Sequence, residues 1–176
     1  MDAMYEDIKR HIRDVKDFPK KGIVFKDITP ALADGKCFAE IINIFYEKFK
    51  GVHIDKVAAI ESRGFLLGAP LAQRLGCGLV LLRKPGKLPY TSYKVSYELE
   101  YGSAELEMHV DSVSKDEKIL LIDDVLATGG TMEAACKLVK KAGGEVVVCA
   151  FLIEIAVCAG RKKLAQYAPV GAFLEY

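Results

Sequence analysis

The chain has 176 residues, with 25 Lys and Arg against 24 Asp and Glu, a net charge of +1 and a pI near 7.6. That length suits one domain, residues 1–176, with a core needing neither disulfides nor metals. The charge balance excludes a broad basic nucleic-acid surface or an acidic tail, so attraction for an anion must be local. Five cysteines (Cys37, Cys77, Cys136, Cys149, Cys158) form an odd set without C-x-x-C and read as reduced thiols of an intracellular protein. The histidines (His11, His53, His109) are too scattered for a metal cluster. No stretch reads as a signal peptide or a membrane span, so the expected compartment is the cytoplasm.

In chain order, Tyr5, Ile8, Ile12 and Val15 recur at helical spacing and predict an amphipathic helix over residues 3–14. Residues 17–30, D-F-P-K-K-G-I-V-F-K-D-I-T-P, are irregular, with Ile23-Val24-Phe25 as a short edge strand. Thr29-Pro30 reads as an N-cap followed by proline at the first helical position. A helix follows over about 37–49. From residue 56 strand and helix alternate: a strand at 57–60, the turn Glu61-Ser62-Arg63-Gly64, a helix at 65–75, a strand at 79–82 and the basic loop 83–89. The period then changes to two (Tyr93, Val95, Tyr97, Leu99, Tyr101), turns at Gly102-Ser103 and resumes at Leu106 and Met108, a hairpin pattern. A buried strand at 119–122, a helix at 132–142, a strand at 146–155, a short helix near 161–165 and an apolar piece at 170–174 complete the chain. Such alternation predicts an α/β fold, a mostly parallel sheet flanked by helices, with ligands beyond the carboxyl ends of the strands. The loops 61–64, 83–89 and 123–131 should therefore converge.

The informative stretch is Ile119–Thr131, I-L-L-I-D-D-V-L-A-T-G-G-T. Asp123 and Asp124 fall where the strand should end, and the small-residue loop Ala127-Thr128-Gly129-Gly130-Thr131 precedes a helix. Loop amides backed by a helix N-terminus make an anion site. Two carboxylates beside it would repel a polyphosphate chain but suit a ligand presenting hydroxyls, with its phosphate a few bonds further on. Ribose 5-phosphate has that shape. The loop has neither G-K-[ST] nor G-x-G-x-x-G. On this reading Asp124 meets a ribose hydroxyl rather than a salt-bridge partner.

The 119–131 pattern resembles the phosphoribosyl-diphosphate signature of type I phosphoribosyltransferases. D-F-P-K-K-G-I-V-F-K-D-I-T-P at 17–30, E-S-R-G-F at 61–65, R-K-P-G-K-L-P at 83–89 and Y-E-L-E-Y-G at 97–102 resemble the adenine phosphoribosyltransferases, in order and spacing. Residues 156–176 match least. The resemblance implies conversion of adenine and phosphoribosyl diphosphate to AMP and pyrophosphate, with Mg²⁺ carried mainly on the diphosphate. It implies a homodimer and small-molecule substrates, without nucleic acid. By the same resemblance, Glu61, Ser62, Arg63 and Gly64 hold pyrophosphate through a turn whose Glu61–Ser62 bond is often cis, and Arg83, Lys84 and Lys87 add charge. Val24, Phe25, Arg63 and Ile155 contact adenine, residues 17–30 forming a hood. A flexible loop over about 85–105 closes with Tyr101, and Glu100 exchanges a proton with the base beside Asp123 and Asp124. Rival readings are a transferase for another nucleobase and a non-catalytic sensor of phosphoribosyl diphosphate.

Overall fold

The computed structural model describes residues 2–98 and 103–176, and the chain divides into two units, residues 1–48 and 49–176. In the first, α1 (Asp2–Arg10) stops short of the predicted residue 14. The His11 and Ile12 amides close it by donating hydrogen bonds to the Ile8 and Lys9 carbonyls. The chain then enters β1 (Arg13–Lys16), antiparallel to β2 (Val24–Asp27). Val15, which extends the helical spacing in the sequence, instead lies opposite Phe25. Partners far along the chain decide this: Arg13 faces Asp27 at 2.6 Å and Asp14 faces Lys26 at 2.7 Å. Opposite charges directly across a ladder favour the pairing.

Thr29, expected as an N-cap, is instead the first residue of α2 (Thr29–Ala33), with Ile28 at the cap. Its amide donates to Asp27 Oδ1 at 2.9 Å. At the start of α3 (Gly35–Phe49), the Cys37 amide donates to Asp34 Oδ1 at 2.8 Å. That bond satisfies one of the free donors of a helix N-terminus.

The second unit runs β3 (Lys56–Ile60), α4 (Arg63–Leu75), β4 (Gly78–Leu82), β5 (Ser92–Glu98), β6 (Ser103–His109), β7 (Lys118–Leu126), α5 (Gly130–Lys141), β8 (Glu145–Glu154), α6 (Gly160–Leu164) and β9 (Val170–Glu175). Five strands form one sheet in the order β4-β3-β7-β8-β9, every neighbouring pair parallel. β5 and β6 stand apart as an antiparallel hairpin.

Alternate residues of β3 and β7 serve opposite faces. Ala58, Ile60, Ile119 and Leu121 share a buried cluster with Leu138 and Val139 of α5 and with Leu106 and Met108 of the hairpin. On the other face, α4 buries Leu67 and Leu71 completely, each worth roughly 1.5–3 kcal/mol. Gly68 sets how closely that helix sits: a methyl there would lie 2.6 Å from the Ala59 side chain and 3.0 Å from Ile122 Cγ2.

The strand order contains a switch. From β3 the chain moves outward to β4, whereas from β7 it moves the opposite way to β8 and β9. The crevice between diverging loops at such a point is where open α/β sheets hold ligands.

Candidate active site

On one side of the β3/β7 switch, the first turn of α4 begins at Arg63, two residues earlier than the predicted helix. The Glu61–Ser62 peptide bond before it is cis, as the motif suggested. Gly64 is needed for close approach, since a methyl there would lie 2.9 Å from the Ile122 carbonyl and 3.1 Å from Asp123 Oδ1. The turn therefore rests directly on the carboxylate pair.

β7 does not end before the aspartates as expected; it runs through both to Leu126. Their side chains thus take opposite faces. Asp124 is buried at 3% exposure, and Arg63 Nε donates to its Oδ2. This corrects the expectation that Asp124 lacks an ion-pair partner. The signal was available, since a buried carboxylate needs a cation and Arg63 is the one at the neighbouring strand end. Asp123 is half-buried, and its Oδ1 accepts the Asp124 amide at 2.9 Å. Burial, reinforced by the Asp124 charge, pushes the Asp123 carboxyl well above the usual carboxylate range.

Beyond β7, Asp123 and residues Ala127, Thr128, Gly129, Gly130 and Thr131 line a cavity of about 100 Å³. Gly129 caps α5 in the left-handed region at φ 79°. Behind the loop stands Gly160, a residue the sequence reading missed. A methyl on it would sit 2.2 Å from the Ala127 carbonyl oxygen and 3.0 Å from the Gly129 amide. Only its position before a short helix marked it in the sequence, and that says nothing of a loop thirty residues away.

The basic loop after β4 gathers on one carboxylate. Glu61 accepts from Arg83 Nε at 3.2 Å and from the Lys84 amide at 3.0 Å, and Lys87 Nζ lies at 3.4 Å. Burial opposes the Glu61 charge, but these partners outweigh it and hold the carboxyl below its usual range. Arg83 also donates to the Lys87 carbonyl at 3.2 Å and lies over the Phe65 ring. Residues 61–64 and 83–87 therefore form one cationic rim with an internal counter-ion.

Ile155 is half-buried at the end of β8, and its amide donates to the Leu126 carbonyl at 2.8 Å. Arg161 clasps Glu154 and donates to the Val170 carbonyl at 2.7 Å, which ties α6 to the neighbouring strand. Val24 and Phe25 belong to the first unit, where Val24 is 46% exposed and Phe25 meets Phe18 edge-on at 5.3 Å. Glu100 and Tyr101 lie outside the described residues. Of the loop expected over 85–105, residues 85–91 form an irregular turn, and the described residues 92–98 and 103–105 belong to the β5–β6 hairpin, with Glu98 opposite Ser103.

Residues 30–170 match the family described as phosphoribosyl transferase domain. The chain is 54% identical over 159 residues to an adenine phosphoribosyltransferase of Geobacter metallireducens, covering 90% of this chain and 93% of that one. Among solved structures, it is similar to the adenine phosphoribosyltransferase of Thermoanaerobacter pseudethanolicus, at 49% identity and a TM-score of 0.95, over 98% of this chain and 99% of that one. It is also similar to the Saccharomyces cerevisiae enzyme complexed with an imino-altritol bisphosphate and adenine, at 36% identity and a TM-score of 0.90, over 97% and 98% of the chains.

Proposed function

The chain belongs to the phosphoribosyltransferase family, among the adenine phosphoribosyltransferases, and we propose that the residues assembled at the β3/β7 switch carry out its transfer as follows. The reaction converts adenine and 5-phospho-α-D-ribose 1-diphosphate to AMP and pyrophosphate, a purine-salvage step. The observation that carries this reading is the placement of two carboxylates between a phosphate-sized cradle and a cationic rim. A ribose bearing phosphate at one end and diphosphate at the other fits that order.

The 5′-phosphate rests on the amides of residues 127–131, and Asp123 and Asp124 accept the ribose hydroxyls. Arg83, Lys87 and the turn at 61–64 receive the diphosphate. Substitution at the anomeric carbon develops positive charge on the sugar. A carboxylate whose charge is disfavoured by burial, as at Asp123, gains most when a cation forms beside it. That gain belongs to the transition state and so lowers the barrier. Mg²⁺ carried mainly on the diphosphate, whose hard oxygens suit it, would when bound neutralise the departing group.

In this reading Val24, Phe25 and Ile155 contact adenine, Glu100 exchanges a proton with the base, and Tyr101 closes with the hairpin. We further infer a homodimer, supported by Leu79 and Leu81, which remain 42% and 38% exposed on edge strand β4, and a cytoplasmic enzyme. Light scattering on the eluted peak tests the first.

Incubation with Mg²⁺, phosphoribosyl diphosphate and each nucleobase in turn tests the assignment. AMP should form with adenine, while the other bases give little product. Preferred turnover of another base would reassign the substrate, and diphosphate binding without turnover would leave a sensor.

A further inference from the structure

Three consecutive residues of β6, Leu106, Glu107 and Met108, are buried. Leu106 and Met108 enter the core cluster, and alternation sends Glu107 to the other side, where its carboxylate is only 3% exposed. Burying a charge costs several kcal/mol unless partners compensate. Lys94 of β5, directly opposite in the ladder, supplies one at 2.7 Å. Lys94 outweighs the burial that opposes the charge, and with smaller help from the Gly86 amide and the Ser92 hydroxyl it holds the carboxyl below its usual range. The Glu107 backbone also exchanges both its hydrogen bonds with Arg83, at 2.9 and 2.7 Å.

One residue thus grips both ends of a mechanical link. Its main chain holds Arg83 at the start of the basic loop, and its side chain pairs with Lys94 of the hairpin. Arg83 in turn reaches the Glu61 turn. We propose that Glu107 is a positioning residue that couples the diphosphate-binding loop to the hairpin, so that occupancy of the cationic rim sets the hairpin's placement. The proposal rests on the functional reading above, because it takes the rim as the diphosphate site.

Pyrophosphate is the probe, and backbone hydrogen exchange over 92–98 and 103–109 is the readout. In the parent, saturating pyrophosphate with Mg²⁺ should slow exchange in both strands by about tenfold, within the ordinary range of coupling between two sites. Glu107→Gln keeps the length and the backbone pairing with Arg83 but loses the Lys94 ion pair. It should still bind pyrophosphate while the hairpin response falls to under twofold, and it should raise KM for phosphoribosyl diphosphate more than KM for adenine. Lys94→Met, at a half-exposed position, removes the same pair from the other side and should lose the same response, which covers the case in which Glu107→Gln fails to fold. A full parental response in either folded variant overturns the proposal, as does a parent that binds pyrophosphate with no change in the hairpin. A parent that binds no pyrophosphate overturns the functional reading instead, and this proposal with it.

Discussion

Gly160→Ala isolates the contact behind the phosphate cradle. The added methyl would lie 2.2 Å from the Ala127 carbonyl oxygen, 2.8 Å from Leu126 Cδ1 and 3.0 Å from the Gly129 amide nitrogen. Two of those three neighbours are main chain of the cradle itself, so the strain cannot be relieved by a flexible side chain. The closeness is mutual, since a methyl built on Gly129 would itself lie 3.1 Å from the Gly160 carbonyl oxygen. Forcing a methyl into a packed site costs roughly 1–3 kcal/mol. If the loop yields, that cost falls on binding, and each 1.4 kcal/mol is about tenfold in affinity. KM for phosphoribosyl diphosphate should therefore rise by about 5- to 150-fold, with a far smaller change for adenine. Steady-state kinetics with each substrate varied, alongside a melting curve, provide the assay. Gly51→Ala is the control, because a methyl there meets nothing within 4 Å. Parental KM for the diphosphate in a Gly160→Ala protein of parental stability would refute the buttress argument.

Asp124→Asn should lower turnover by about two orders of magnitude, the usual worth of one electrostatic contact in the transition state; near-parental single-turnover rates would remove Asp124 from the chemistry. Asp123→Asn should raise the melting temperature at neutral pH while lowering activity, because burial raises the folded pKa. In the parent, Asp123 binds more protons folded than unfolded, so its contribution to stability falls as pH rises from the unfolded pKa through the folded one. Melting curves across pH should show that slope diminished in the variant, and an unchanged slope would contradict the assignment. Arg83→Ala and Lys87→Ala should weaken use of the diphosphate more than use of adenine, and equal losses for both substrates would point to the loop's fold instead.

Local pattern was legible where one element carried its own signal. Four branched residues at 119–122 announced a buried central strand, and period-two spacing from Tyr93 announced the hairpin. The fold failed to show through at Val15, where helical spacing continued by coincidence and cross-strand charges at Arg13–Asp27 and Asp14–Lys26 imposed a strand. At the site, the residue types were legible from the motifs, whereas their pairing was not. Arg63 with Asp124, and Glu61 with Arg83 and Lys87, are meetings between strand ends far apart in sequence. Gly160 and Glu107 escaped notice because their importance lies in what touches them. A glycine before a helix and a glutamate in a strand are ordinary until the neighbouring backbone is in place.

The parallel pairing of β3 with β7 carries a kinetic consequence. The Lys118 amide donates to Asp55 Oδ2 across 63 residues of chain, and the ladder from Lys56–Ile119 to Ala59–Ile122 follows. The cationic rim hangs from β3 and its neighbour β4 and the carboxylate pair from β7, so neither half recognises the whole ligand until that ladder closes. Closing a loop of this size is an entropic cost met before non-local contacts repay it. Competence to bind should therefore emerge late in refolding, after helical signal has returned, and phosphoribosyl diphosphate present during refolding should favour the closed ladder by mass action.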